Sequence, residues 1–148
     1  MKQVFSSTTR AYLAGFIDGD GSIYVRLKSN HDYRFGFQIA PYVVLFQSAK
    51  DRKNFEELCS HIGLGYMRER KDGILEYVIQ RKDAIRKLLI MVEPYVVMKR
   101  SQVEVMLKIL KQKEKMKDKK DFIELAKLID SFRELNYSKK RKVHVLTP

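Results

Sequence analysis

Cysteine is almost missing from this chain of 148 residues: Cys59 stands alone, so no disulfide can form within one chain. It sits in an apolar helical pattern, where its expected role is to fill the core of a protein kept in a reducing compartment. Long apolar runs are missing too. No stretch reaches the about 18 apolar residues that a membrane-spanning helix needs. The N-terminus, Met-Lys-Gln-Val-Phe-Ser-Ser, has no apolar core followed by a cleavage site. An intracellular location, cytoplasm or organelle matrix, is therefore expected, with no membrane partner. There is no internal repeat and no domain boundary, so residues 1–148 read as a single domain with a basic tail at 136–148. Acidic residues are in short supply: 18 Asp and Glu face 30 Lys and Arg.

What remains is a globular composition, 45% apolar and 32% charged, carrying a net charge of +12 and a pI near 9.8. A pI above about 9 on one small domain points to a polyanion partner. A membrane surface fits less well, because no long helix joins a basic face to a strongly apolar one.

Hydrophobic periodicity gives the order of elements. After a first helix, Ser22 to Lys28 alternate strictly, with Ile23, Val25 and Leu27 apolar and the even positions polar or amphipathic. Ser29 to Asp32 form a turn cluster. A second strand is predicted from Tyr33 to Leu45 with the same parity, and Pro41 marks an edge or a bulge in it. Lys50 to Ile62 read as an amphipathic helix closed by Gly63. Tyr66 to Arg70 and Leu75 to Gln80 form a second hairpin around Lys71-Asp72-Gly73. Helices follow at Ala84 to Val92, stopped before Pro94, at Ser101 to Lys115, and at Asp121 to Leu135. The lysine-rich run Lys111 to Lys120 is expected to be exposed or partly unwound. The class is α+β with an antiparallel sheet.

A sheet covered by helices on one face exposes the other. Here that face offers Tyr24, Arg26, Lys28, Arg34, Gln38, Tyr42, Tyr66, Arg68 and Arg70, with Glu76 on matching parity. Arginine forks match guanine edges, Gln matches adenine, and Glu76 is placed to accept from cytosine. Lysine alone would suit phosphates; this mixture suits bases. A strand of about ten residues spans roughly 33 Å, about one turn of B-DNA, so one copy of the chain can read about one half-site. The lysine run and the basic tail suit phosphate contacts, which position without specifying.

The least ordinary stretch comes first in the chain. Thr8 to Ile17 look helical, with Ser7 or Thr8 as N-cap, and the helix should end at Gly19 to Gly21, where a glycine can take left-handed angles. Asp18 and Asp20 then lie at a helix C-terminus, where the dipole disfavours a carboxylate by roughly 0.3–1 kcal/mol. A cation reverses that penalty, and the free carbonyls of the last turn with a carboxylate are hard oxygen ligands of the kind Mg²⁺ takes. The bland alternative is a simple Asp-Gly turn. Gly15 and Gly19, four apart, leave one helix face bare enough for another backbone to approach.

The whole segment Leu13–Gly21, LAGFIDGDG, resembles the defining motif of the LAGLIDADG homing endonucleases. The likeness extends over nearly the whole chain, through element order, basic sheet face and basic tail. The subfamily it resembles has one motif per chain and acts as a homodimer; ribosomal-intron enzymes of algal chloroplasts belong to it. The resemblance implies an αββαββα fold with a four-stranded antiparallel DNA-binding saddle. It implies site-specific cleavage of both strands of double-stranded DNA at a long pseudo-palindromic site, of the intron or intein homing type, with Mg²⁺ or another divalent metal. Two motif helices would pack through Tyr12, Leu13, Gly15, Phe16 and Gly19, and the metal would be held by Asp20 and the Gly19 carbonyl. The catalytic set carried over is Asp20, Gln47, Arg52 and Lys99; Ser48 is the alternative to Gln47 as the residue near the attacking water. In the tail, Ser138, Lys139 and Lys142 match the phosphate-contacting segment. Two alternatives share the fold: an RNA-splicing maturase, with RNA as partner, and a DNA-binding protein that does not cleave.

Overall fold

The motif helix and the strand that follows it without a loop set the frame. In this computed structural model, which describes residues 4–136, α1 spans Ser7–Asp20 and β1 begins at the next residue, Gly21–Ser29. The helix starts one residue earlier than its sequence signals suggest. Ser6 is the N-cap, its hydroxyl accepting from the Thr9 N–H at 3.2 Å. Its end departs from expectation. Gly21 is extended, with φ −111° and ψ 161°, while its N–H still bonds to the Ile17 carbonyl. No left-handed turn occurs because the chain passes directly from helix into strand. Glycine is needed there for another reason: a Cβ on Gly21 would sit 2.8 Å from the Cα and the carbonyl oxygen of Ile17.

Strand β1 pairs antiparallel with β2, Phe37–Ser48, in unbroken register from Gly21 against Leu45 to Ser29 against Phe37. The second strand therefore starts four residues later than periodicity predicts. Residues 30–36 form a closed turn instead: Asn30 N–H bonds to Gly36 O at 2.8 Å, Gly36 N–H to Tyr33 O at 2.9 Å, and Asn30 Oδ1 accepts from Asp32 N–H at 3.0 Å. Gly36 takes φ +79°, which an extended strand cannot use. Phe35 in that turn stacks on Phe122 at 5.2 Å between centroids. Arg34 accordingly lies in the turn and not on the sheet.

After a short 3₁₀ turn, Ala49–Asp51, α2 runs Arg52–Ile62 and ends at Gly63 in the left-handed region, φ 63°. The hairpin β3, Tyr66–Glu69, and β4, Ile74–Ile79, turns through Gly73, φ +81°. Helices α3, Lys82–Val92, α4, Arg100–Lys115, and α5, Lys119–Arg133, complete the chain. Sheet order is β1-β2-β4-β3. Pro41 faces Val25, in the part of β2 that extends past β4, which pairs only from Val43 onward. That is the edge reading of this proline; the register shows no bulge.

The odd-numbered residues Ile23, Val25, Leu27, Ile39, Val43, Leu45, Leu75, Tyr77 and Ile79 all enter the core, with Leu13, Ala14 and Ile17 of α1 and the inner faces of α3, α4 and α5. The outer edge of β1 is closed by α5 and the residues after it. Arg133 donates to the Val25 carbonyl at 3.4 Å and Asn136 to the Ile23 carbonyl at 3.3 Å, so this strand offers little edge for pairing. The lysine-rich run unwinds only at its middle, between Lys115 and Lys119. Lys113 departs from expectation: half-buried, it donates to the Ile39 carbonyl at 3.1 Å, and burial, with Lys82 second, lowers its pKa. No helix among the described residues is long and apolar enough to cross a membrane.

Candidate active site

Asp18 and Asp20 share one helix turn and have opposite surroundings. Asp18 is half-buried, and its carboxylate accepts three backbone N–H groups: Val97 at 2.8 Å, Lys99 at 3.0 Å and Met98 at 3.1 Å. Burial opposes the charge, but these donors and the Lys99 ammonium outweigh it and hold the carboxyl below its ordinary value. Asp20, the last residue of α1, is exposed and makes no hydrogen bond or ion pair among the described residues. It is the carboxylate left open for a ligand. The Gly19 carbonyl belongs to the same last turn, where helix geometry leaves carbonyls without an amide partner.

Lys99 comes to the motif from the far side of the chain. Its ammonium donates to the Asp18 carbonyl at 2.8 Å, two residues from Asp20. Gln47 lies towards the same end of the sheet: β1 starts at Gly21 opposite Leu45, and Gln47, two residues further along β2, pairs with Leu75 of β4. Its Oε1 accepts from the Ser48 N–H at 2.9 Å, and its amide nitrogen has no partner among the described residues. Ser48 is the N-cap of the 3₁₀ turn, its hydroxyl engaged by the Lys50 N–H at 3.2 Å. Each keeps a donor without an acceptor among the described residues, the Gln47 amide and the Ser48 hydroxyl. Arg52 opens α2 but is not joined to the motif by any bond. Its guanidinium pairs with Glu69 at 2.5 Å and approaches Glu56 at 3.6 Å.

One residue expected to face a second copy faces inward. Leu13 is fully buried in the chain's own core, because it lies on the helix face with Ala14 and Ile17. Tyr12 is 60% exposed, Gly15 and Gly19 have no atom within 4 Å of a built Cβ, and Phe16 is half-buried against Phe55. The outward stripe is therefore Tyr12, Gly15, Phe16 and Gly19, without Leu13.

On the outer face of the sheet, register pairs Tyr24 with Tyr42, Lys28 with Gln38 and Arg68 with Glu76. The tyrosine rings stack at 5.0 Å; the Arg26 guanidinium lies over both, and the Lys28 ammonium bonds to the Tyr42 hydroxyl at 2.9 Å. Burial raises the Tyr24 pKa, so that ring is neutral. Arg68 bonds to Glu76 at 2.6 Å and Arg70 approaches it at 3.7 Å. Glu76 is 7% exposed. Its carboxylate is thus buried and bonded by Arg68, and is not open to accept from a base; Arg70 bonds instead to Asp72 at 2.5 Å, and Arg68, Arg70 and Tyr66 are exposed. Ser138, Lys139 and Lys142 lie outside the described residues.

A family model described as LAGLIDADG endonuclease matches residues 13–111. The chain belongs to that family. Among its LAGLIDADG relatives, DNA endonuclease I-CreI of Chlamydomonas reinhardtii is 34% identical over 132 residues, 88% of this chain and 80% of the relative. DNA endonuclease I-CvuI of Chlorella vulgaris is 32% identical over 133 residues, 90% and 83% of the two chains. The solved complex of I-CvuI with the I-CreI target, in 2 mM Mg with the DNA not cleaved, superposes with a TM-score of 0.84 at 31% identity over 91% of this chain and 86% of the other. The four-stranded antiparallel sheet carrying helices on one face is the LAGLIDADG endonuclease fold.

The role of Asp18 in holding residues 97–99 is absent from the sequence reading. Its one local signal is a missing cap. Helix α4 opens Lys-Arg-Ser-Gln and has Lys99 at its N-cap without a side-chain cap bond; of the three N–H groups that Asp18 accepts, only that of Lys99 belongs to this cap, and those of Val97 and Met98 precede it.

Proposed function

We propose that this chain is a site-specific double-strand DNA endonuclease that works as a homodimer with a divalent metal at Asp20. The observation that carries the reading is the contrast at the end of α1. Asp20 is exposed and has no partner among the described residues, while the Asp18 carboxylate holds three N–H groups and the Asp18 carbonyl the Lys99 ammonium. The donor set fits a hard cation, since carboxylate and carbonyl oxygens suit Mg²⁺. One chain supplies too few of them: no group of three or more His, Cys, Asp or Glu side chains able to hold a metal occurs among the described residues. A second copy joined through Tyr12, Gly15, Phe16 and Gly19 would bring a second Asp20 to the same place, with phosphate and water as further ligands. Two-fold symmetry then makes the target pseudo-palindromic.

The sheet face holds the duplex, with Arg26, Lys28, Gln38, Tyr42, Tyr66, Arg68 and Arg70 towards the bases and Tyr24 and Glu76 supporting them. Arg34, in its turn, reaches the flank, and Ser138, Lys139 and Lys142 contact phosphates. A bound metal supplies activation of a water and stabilisation of the leaving oxygen. Asp20 and the Gly19 carbonyl hold it. Gln47 orients the attacking water through its free amide, and Lys99 and Arg52 neutralise charge that develops on the phosphate.

Asp20→Asn tests this. It keeps size and helix-end geometry but removes the charge. In a gel that reads bound and cut DNA over a range of Mg²⁺ above 2 mM, the concentration in the I-CvuI complex, binding should survive and cleavage should fall by orders of magnitude. Cleavage equal to wild type would show that the site is elsewhere. Tight binding by wild type without cutting in any divalent metal would leave a non-cleaving DNA-binding protein, or a maturase if structured RNA binds more tightly.

A further inference from the structure

Two helix ends meet beside Asp20, and each lacks what the other provides. Helix α4 begins at Arg100 with no capping side chain of its own, and the three residues that lead into it, Val97, Met98 and Lys99, carry N–H groups that need an acceptor. Helix α1 ends with free carbonyls and with Asp18 in its last turn, where its own dipole disfavours a carboxylate. The structure crosses the two deficits. Asp18 Oδ2 accepts from the N–H groups of Val97 and Met98, at 2.8 and 3.1 Å, and Oδ1 accepts from that of Lys99, at 3.0 Å. In return the Lys99 ammonium donates to the Asp18 carbonyl at 2.8 Å. The contacts link residues 79–81 positions apart in the chain.

Side-chain packing does not hold this loop on its own. Val96 is buried, but Val97 and Met98 are 73% and 70% exposed, so the backbone that leads into Lys99 is held by the Asp18 carboxylate. We infer that Asp18 is a positioning residue for DNA cleavage, gripping the 97–99 backbone so that the Lys99 ammonium stays at the Asp18 carbonyl, in the helix turn that carries Asp20. Asp18 touches neither metal nor DNA in this role and acts only through Lys99. The inference rests on the reading of Lys99 as a charge-neutralising residue.

A double-mutant cycle separates this from a purely structural role. The probe is a duplex recovered by wild-type protein from a randomised library, cut in saturating Mg²⁺ with full-length protein. Asp18→Asn keeps one accepting oxygen and removes the charge, and a thermal melt confirms folding. If it does not fold, Asp18→Ser, a good acceptor at helix N-termini, takes its place with the same expectation. Alone, either variant should lower kcat by about tenfold or more and change KM by less than about threefold. In a Lys99→Met background the same change at position 18 should alter kcat by less than about twofold, because the group it positions is gone. Equal fold-losses in both backgrounds would overturn the inference and make Asp18 a general scaffold residue. So would an unchanged kcat in the single variant. If Lys99→Met itself cuts like wild type, the assignment of Lys99 fails first and the inference with it, while cleavage lost in Asp20→Asn would still stand.

Discussion

At Gly21 one missing carbon lets a helix run straight into a strand. The backbone angles there are open to any residue, but a Cβ would press on the Ile17 backbone at 2.8 Å, which has no rotamer by which to move away. Gly21→Ala should therefore destabilise the fold by about 1–3 kcal/mol, the usual range for an overpacked contact, read as a lower Tm. An unchanged Tm would mean that the end of α1 yields easily. Cys59 offers a pH test at the same scale. Burial, with Glu56 second, pushes its thiol up from 9.0 to about 12. The native state therefore keeps the proton where the unfolded chain loses it. The associated stabilisation is complete below pH 9 and is lost as pH rises towards 12. At pH 8 a thiol reagent should modify Cys59 only as fast as the protein unfolds; rapid modification of native protein would show that the site is open.

Among the elements, α1 carries two jobs on two faces. Leu13, Ala14 and Ile17 fasten it to its own core, while Tyr12, Gly15 and Gly19 look outward. Gly15→Ala separates the jobs. Beyond its own helix turn the new methyl meets nothing within 4 Å among the described residues, and helix propensity improves by up to about 1 kcal/mol. Between two chains it holds the helices apart. At low protein concentration the melting temperature should hold or rise, while sedimentation should show weaker dimerisation, and DNA cleavage should fall with it. A dimer as tight as wild type would place the contact elsewhere on the chain. The second hairpin has its own logic: buried Glu76 fixes Arg68 and Asp72 fixes Arg70, so two neighbouring cations are each held by an acid.

For the whole molecule, charge sets the terms of binding. Two copies carry twice +12. If the dimer neutralises about ten phosphates, log K against log[salt] should slope near −9. A slope shallower than about −3 would argue that duplex DNA is not the main ligand. Within that shared attraction, single residues should differ in kind. Arg26→Ala, or Arg68→Ala, should relax base preference at a few positions, each worth about 1–3 kcal/mol, whereas Lys139→Ala should weaken all sequences alike. Binding selections on the variants distinguish the two patterns.

The sequence by itself determined the order of elements, the alternation of the strands and the motif with two carboxylates at its helix end. These are local matters: alternation with period two decides which side chains share a face, and LAGFIDGDG is one contiguous stretch. Lys99, Gln47 and Arg52 came one at a time, as what the resemblance to the family implies. Only the tertiary structure decided which of them meet. Register placed Gln47 just beyond the start of β1, the turn before α4 brought Lys99 to the Asp18 carbonyl, and a pair of acids, Glu69 and Glu56, engaged Arg52. Turn chemistry at Asn30 and Gly36 removed Arg34 from the sheet although its parity was right. Leu13 shows the same division. Its place on the helix was plain from the motif, but which side of α1 faces the core depends on strands and helices tens of residues away. A periodic pattern names a face; what that face packs against is fixed only when the distant parts of the chain close on it.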